Sequence, residues 1–169
     1  MFRGTSRVMS TAPILKPTNH LTAEAHPQPP APLMTSVTAP TQTFNVSHLS
    51  EADFKPGGLH SYSGYRDLGV AAATHGLAQA HVIRMTAPFS PEWSERHHHN
   101  LQFQLVYVLK GRFSTDFEGH GVQVMQAGAC WTQPLGIRHT VVGWSDDCEL
   151  LEVILPAVHE TVLDCGADR

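Results

Sequence analysis

The sequence predicts an all-β domain, and two observations carry that prediction. From about Thr43 onward, short runs rich in Val, Leu, Phe and Tyr recur at intervals of about ten residues. Glycine or proline separates the runs, as tight reversals between antiparallel strands require. This spacing favours an antiparallel sandwich or barrel over strands that alternate with helices.

The predicted strands follow one another through the second half of the chain. They cover residues 78–85, 97–99, 103–110, 113–117, 122–125, 129–133, 139–144 and 149–155. Residues 157–164 are predicted to form a short helix. The strands at 103–110 and 149–155 are apolar on both faces, so one face meets the core and the other meets a further apolar surface. A second sheet of the same domain and a homodimer interface both remain open for that surface.

The two ends of the chain are predicted to be tails. Residues 1–50 hold seven of the 12 prolines, and Glu24 is their only acid. Such a segment cannot bury enough apolar area to offset its ordering entropy. We therefore predict a disordered Pro/Thr-rich tail at 1–45, a β-barrel domain at 46–160 and a C-terminal tail at 161–169. A native tail and a start-site artefact remain equally open for residues 1–45.

Charge and composition exclude several classes of protein. The 169 residues carry a formal net charge of −4, which argues against a nucleic-acid partner. No apolar run approaches the 18–20 residues that a membrane span needs, so no membrane partner is expected. The three cysteines form no C-x-x-C pair, which fits a reducing compartment and a cytoplasmic location.

Histidine is the unusual residue of this chain. Its 12 copies outnumber the 11 lysines and arginines together. His97 and His99 are two residues apart on a predicted strand, so both imidazoles project from one face. Such a pair supplies two nitrogen ligands to a metal ion at once. Taken in isolation, however, the pair is better explained as a polar strand end or a solvated turn.

The spacing of other residues around these histidines carries a family resemblance. One motif reads His97-x-His99-x4-Gln104-x6-Gly111, and a second reads Gly128-x5-Pro134-x-Gly136-x2-His139. Together they resemble the two motifs of the cupin superfamily, in particular small single-domain bacterial cupins of unassigned activity. The resemblance implies a single cupin barrel (a double-stranded β-helix, or jelly roll) with both motifs near its mouth. It also implies that His97, His99 and His139 ligate a divalent transition metal such as Fe, Mn, Ni or Zn.

Gln104 departs from the family pattern, in which a glutamate usually ligates the metal. Gln104 offers only a neutral amide oxygen, which is a poorer ligand. The site would then prefer an anionic chelating substrate, or it would be a weakened site that binds metal poorly. We predict Gln104 as a fourth ligand, and His81 is a weaker alternative for the missing acid. Tyr107, Arg84 and His81 are the predicted substrate-binding residues.

Two functions follow from this resemblance. The first is a small metal-binding cupin, a metal-dependent oxygenase or a lyase/isomerase that acts on a small anionic organic molecule. The alternative is a non-catalytic cupin that binds or senses a small molecule, with a degenerate or absent metal site. The same fold hosts both functions, so only the site can separate them.

Overall fold

The computed structural model describes residues 41–57 and 62–164. The predicted N-terminal tail lies outside the described residues up to residue 40, and the predicted C-terminal tail does so from residue 165. The division into tail, domain and tail therefore stays a prediction. Within the described residues, no helix has the length and apolar character needed to cross a membrane.

Nearly all regular structure in the described part of the chain is antiparallel β. Short connecting turns include α1 (Val70–Ala73) and two 3₁₀ turns, Glu51–Asp53 and Pro91–Trp93. The strands in chain order are β1 (Lys55–Pro56), β2 (Ser63–Asp67), β3 (Gln79–Met85), β4 (His97–His99), β5 (Phe103–Lys110), β6 (Arg112–Phe117), β7 (Gly121–Gln126), β8 (Cys130–Thr132), β9 (His139–Trp144), β10 (Glu149–Leu155) and β11 (Thr161–Leu163).

These strands form two sheets that face each other. The first sheet has the order β1-β2-β3-β10-β5-β8, and the second has the order β11-β4-β9-β6-β7. Every strand that the sequence predicts is present within two residues of its expected bounds. The predicted all-β class is confirmed. One face of β5 and β10 is directed toward the second sheet, which is one of the two apolar surfaces considered for these strands.

The predicted helix at 157–164 is wrong, because β11 occupies its second half. β11 pairs with β4 along its whole length, with Thr161 opposite His99 and Leu163 opposite His97. The β-branched Thr161 and Val162 favour a strand once a partner edge is available. β11 also lies within the segment 161–169 that the sequence assigns to a tail, so this part of the segment belongs to a sheet.

The space between the sheets holds the core and a cluster of aromatic rings. Val108 and Ile154 are fully buried there. At one end of this space, Trp144 donates a hydrogen bond from Nε1 to the carbonyl oxygen of Ala87 at 2.9 Å. The ring of Trp144 lies 4.6 Å from that of Tyr62 and 4.9 Å from that of Phe89, between centroids. Such packing surrounds that end of the space between the sheets with aromatic side chains.

The outer face of the first sheet also carries apolar side chains. Phe103, Tyr107 and Leu109 on β5 are 39%, 38% and 43% exposed. These residues alternate with the buried ones that face the second sheet, as the two-residue period of a strand requires. The exposed side chains agree with the homodimer interface considered from the sequence, and the dimer stays a prediction.

Gly111 is the single residue between β5 in the first sheet and β6 in the second. Its φ of +70° lies in the left-handed region, which side chains other than glycine rarely adopt. A Cβ atom at this position would also meet the side chains of Ser145 and Asp147, and would lie 3.0 Å from Cα of Cys148. The corner therefore requires glycine for both backbone conformation and space.

Gly111→Ala should destabilise the protein more than the same change at Gly119, which has a φ of +77° and no atom within 4 Å of the added Cβ. At either position, an alanine held in the left-handed region lowers the free energy of unfolding by about 1–2 kcal/mol. The crowding at Gly111 should add about 1–3 kcal/mol. Urea denaturation measures both free energies of unfolding, and equal losses in the two variants would contradict this account of the corner.

Candidate metal centre

Three histidines converge on the inner face of the second sheet. β4 pairs with β9 so that His97 lies opposite His139, and His99 follows two residues later on the same face of β4. One ring nitrogen of each histidine lies within 4.8 Å of the others. The ring centroids are 4.3 Å apart for His97 and His139, and 5.2 Å apart for His99 and His139. We call these residues the three-histidine cluster, and they could hold a metal ion.

The outer nitrogens of this cluster are fixed by hydrogen bonds. Nδ1 of His97 donates to the carbonyl oxygen of Glu95 at 2.9 Å, and Nδ1 of His139 donates to that of Ile137 at 3.1 Å. Nδ1 of His99 lies 2.9 Å from Oγ1 of Thr161 on β11. A proton on Nδ1 puts the lone pair on Nε2, which is the arrangement that metal-binding imidazoles usually show.

Burial keeps two imidazoles of the cluster, those of His99 and His139, neutral at pH 7. It lowers the pKa of His99 to about 3, and the charges of His139 and His97 lower it further in the same direction. Burial also lowers the pKa of His139 to about 4, again with a contribution from His97. Neutral imidazoles are the form that binds metal, so the cluster needs little proton release to bind an ion at neutral pH.

A carboxylate faces this cluster from the first sheet. Glu152 on β10 accepts a hydrogen bond at Oε2 from Nε2 of His81, at 2.6 Å, and another at Oε1 from Nε2 of Gln104, also at 2.6 Å. Burial would raise the pKa of the Glu152 carboxyl, but its hydrogen bond with His81, the His81 charge and the Gln104 hydrogen bond lower it below the ordinary value. Glu152 therefore carries its charge inside the barrel.

This arrangement explains why position 104 is a glutamine. An ionised carboxylate only accepts hydrogen bonds, so the amide nitrogen of Gln104 must face Glu152 and the amide oxygen must face elsewhere. A glutamate at position 104 would place two carboxylates at hydrogen-bonding distance. The acid that the first motif lacks is thus present on the neighbouring strand, and metal ligation by the Gln104 oxygen stays a prediction.

The structure separates the three predicted substrate-binding residues. His81 faces the cavity between the sheets, whereas Arg84 and Tyr107 lie on the outer faces of their strands and do not line it. Arg84 donates from Nε to Glu149 at 2.7 Å and lies over the ring of Phe54. Residue numbers explain the difference, because His81 and Arg84 are three apart on one strand and so point to opposite faces.

Among the cavity residues that were not predicted as site residues, His159 and Glu152 lie on the same cavity as the cluster and can carry charge. His159 lines the cavity, with its ring 5.6 Å from that of His99, although the sequence places it on a terminal helix. Glu152 is the other residue, and the sequence contains a signal for it. It is the only charged residue after Glu149 in an otherwise apolar strand, and it shares a face with the buried Leu150 and Ile154.

The three-histidine cluster and Glu152 open into one cavity of about 720 Å³. Residues of both sheets line it, and they include His81, Gln104, Gln133 and Thr161 beside the cluster. A cavity of this size lies within the range of small-molecule sites, about 300–1,000 Å³. The three-histidine cluster therefore has room beside it for an organic ligand.

Exchanging the side chains of Gln104 and Glu152 tests whether the amide and the carboxylate form a hydrogen-bonded pair. Gln104→Glu should lower the free energy of unfolding at pH 7 by about 2 kcal/mol, because two adjacent carboxylates cannot both ionise without cost. The double variant Gln104→Glu/Glu152→Gln restores one amide and one carboxylate, and should recover at least half of that loss in urea denaturation. A single variant as stable as the parent would contradict the pairing.

The stability of the metal-free protein should depend on pH through the cluster. The unfolded chain protonates its histidines near pH 6.5, whereas folded His99 and His139 do so only near pH 3 and 4. Unfolding therefore takes up protons in this window, and the free energy of unfolding should fall by about 5 kcal/mol as pH drops from 6.5 to 4. His139→Gln should flatten the fall, and His120→Gln, in an exposed turn, should not. Equal slopes in both variants would refute this linkage.

Comparison with known proteins supports the architecture. No protein-family model and no curated protein matches the sequence. Among solved structures, the chain is similar to the polyketide cyclase RemF from Streptomyces resistomycificus, with 17% identity, a TM-score of 0.54, and coverage of 73% of this chain and 88% of that one. It is also similar to a sugar phosphate isomerase of the cupin superfamily from Silicibacter pomeroyi, with 18% identity, a TM-score of 0.54, and coverage of 71% and 83%.

A third similar structure has a different activity. Salicylate 1,2-dioxygenase from Pseudoaminobacter salicylatoxidans shares 8% identity with a TM-score of 0.52, over 66% of this chain and 31% of that one. The three proteins thus differ in activity while they share one architecture with this chain. At these identities the likeness shows the fold alone, and the chain has the cupin fold.

Proposed function

We propose that this protein is a metal-dependent enzyme that acts on a small organic molecule bound in the cavity through an anionic oxygen. The three-histidine cluster carries this proposal, because its nitrogens lie within 4.8 Å of one another at the wall of a large cavity. Hydrogen bonds at Nδ1 hold the rings in the orientation that metal binding needs. A second metal-binding group of three such side chains is absent from the described residues.

The donor set fits a divalent transition metal. Three neutral imidazoles suit Fe, Ni, Zn and related ions, and they leave coordination positions for a ligand. Bound there, such an ion would supply Lewis acidity to an oxygen of the substrate. Neutral ligands do not reduce its +2 charge, which is why an anionic oxygen is the favoured head group.

The Glu152–His81 pair favours lyase or isomerase chemistry over oxygenation. Oε2 of Glu152 and Nε2 of His81 hold a proton between them at 2.6 Å, and both residues line the cavity of the cluster. Reactions that shift or remove a proton need a side chain that holds one close to the substrate. Glu152 and His81 are the residues that we propose for this role.

A non-catalytic binding protein is the second candidate function. Both carboxylate oxygens of Glu152 already accept hydrogen bonds from neighbouring side chains, as they would in a structural pair. A binding protein would take up metal and ligand without product formation. An enzyme would lose turnover on Glu152→Gln while its metal content stays the same.

Metal binding is the experiment that tests the proposal. After chelator treatment and dialysis against Zn²⁺ or Co²⁺, elemental analysis should find about one ion per chain, and the melting temperature should rise because only the folded state binds. His97→Ala and His139→Ala should abolish both effects.

His98→Ala is the matched control for this experiment. His98 lies on the same strand, faces away from the cluster and contacts Asp164 at 3.2 Å. Its replacement should leave the metal content unchanged. Equal metal content in the His97, His98 and His139 variants would overturn the proposed centre.

A further inference from the structure

The first sheet forms one wall of the cavity. The side chains that line this wall change from polar to apolar along the strands. β10 pairs with β3 so that Glu152 lies opposite His81, and Leu150 lies opposite Ile83. Both pairs line the cavity, and they are two residues apart, which is about 7 Å along a strand. Met85 continues the apolar side of this wall.

The wall from the second sheet changes in the same direction. β9 presents His139 to the cluster, then Val141, and then Trp144, which lies opposite Phe113 on β6. Val141, Trp144 and Phe113 all line the cavity. The cavity therefore has a polar half, with the cluster and Glu152, and an apolar half between Ile83, Leu150, Phe113 and Trp144.

Cationic side chains are scarce around this cavity. Among its lining residues, all of them in the described part of the chain, Lys55 is the only lysine or arginine. Lys55 is exposed on β1, and its Nζ donates to the carbonyl oxygen of Ala52 at 2.6 Å. Through Tyr65, Lys55 is in register with Ile83 at the apolar half, but its ammonium group is bonded to the backbone at the exposed edge of the sheet. A phosphate or a second carboxylate placed deeper in that half would lose its hydration without an opposite charge beside it, which is costly.

We infer that the substrate is an amphipathic organic acid. Its oxygen-rich head, such as an α-hydroxycarboxylate, binds the ion at the three-histidine cluster, and its apolar body of one or two rings fills the half between Leu150, Ile83, Phe113 and Trp144. This inference rests on the proposed metal centre and goes beyond it by naming the class of substrate. It excludes sugar phosphates and other molecules that have a second charge far from the head.

Four ligands with one head and different bodies test this substrate class. Glycolate, mandelate and 2-naphthylglycolate share the α-hydroxycarboxylate head and carry no ring, one ring and two rings. 3-Phosphoglycerate has the same head and a charged body. Binding is measured with Co²⁺-loaded protein, because the visible absorption of Co²⁺ changes when the head enters its coordination shell.

We expect affinity to rise with the size of the apolar body. Burial of a ring the size of a phenylalanine side chain should tighten binding about tenfold or more, so 2-naphthylglycolate should bind at least tenfold more tightly than glycolate. 3-Phosphoglycerate should bind no more tightly than glycolate. Because the heads are identical, differences in chelation do not contribute to this order.

Substitutions in the apolar half of the cavity test whether the ligand's ring binds there. Leu150→Phe should weaken 2-naphthylglycolate at least fivefold and leave glycolate unchanged, because the larger side chain occupies the space of the second ring. Ile83→Phe, on the neighbouring strand, should act in the same way. Leu151→Phe is the matched control, since residue 151 lies on the outer face of β10 and should alter neither ligand.

The outcomes separate this inference from the proposed function. Protein that binds no Co²⁺ overturns both. Protein that binds Co²⁺ but prefers glycolate or 3-phosphoglycerate, or responds to none of the four ligands, overturns the inference alone. Unchanged binding of 2-naphthylglycolate in both Leu150→Phe and Ile83→Phe also overturns it.

Discussion

The pairing of β4 with β9 is the contact on which the functional site depends. It places His97 opposite His139, while the two-residue period of β4 brings His99 to the same face. β11 then pairs with β4 on its other side and supplies the hydroxyl of Thr161 to Nδ1 of His99. Three strands from distant parts of the chain thus fix one cluster, and its rigidity comes from backbone pairing.

Glu152 links three strands of the first sheet through its side chain. Its strand lies between β3 and β5, so its carboxylate reaches His81 on one side and Gln104 on the other. This carboxylate lines the same cavity as the three-histidine cluster, which faces it from the second sheet. A molecule bound in this cavity can therefore lie beside both the cluster and Glu152.

Much of this could be predicted from local patterns, and the remainder depends on contacts between distant segments. The H-x-H pair predicts two imidazoles on one face because strand period is a local property. His139 enters the predicted cluster only through the resemblance of both motifs to those of cupins. The strand at 161–163 and the position of His159 depend on an available edge of β4. Glu152 was missed as a site residue, although an acid on the inward face of an apolar strand is a readable signal. Side chains alternate between the two faces of a strand, and His81 and Gln104 face inward. The same rule would have predicted that Arg84 and Tyr107, each three residues away on the same strand, face away from the cavity.

X-ray absorption spectroscopy of the metal-loaded protein tests the central claim most directly. If the three-histidine cluster holds the ion, the spectrum of the Zn²⁺ form should show about three imidazole ligands at about 2.0–2.1 Å, with oxygen in the remaining positions. A sulfur ligand at about 2.3 Å, or fewer than two imidazoles, would contradict the account.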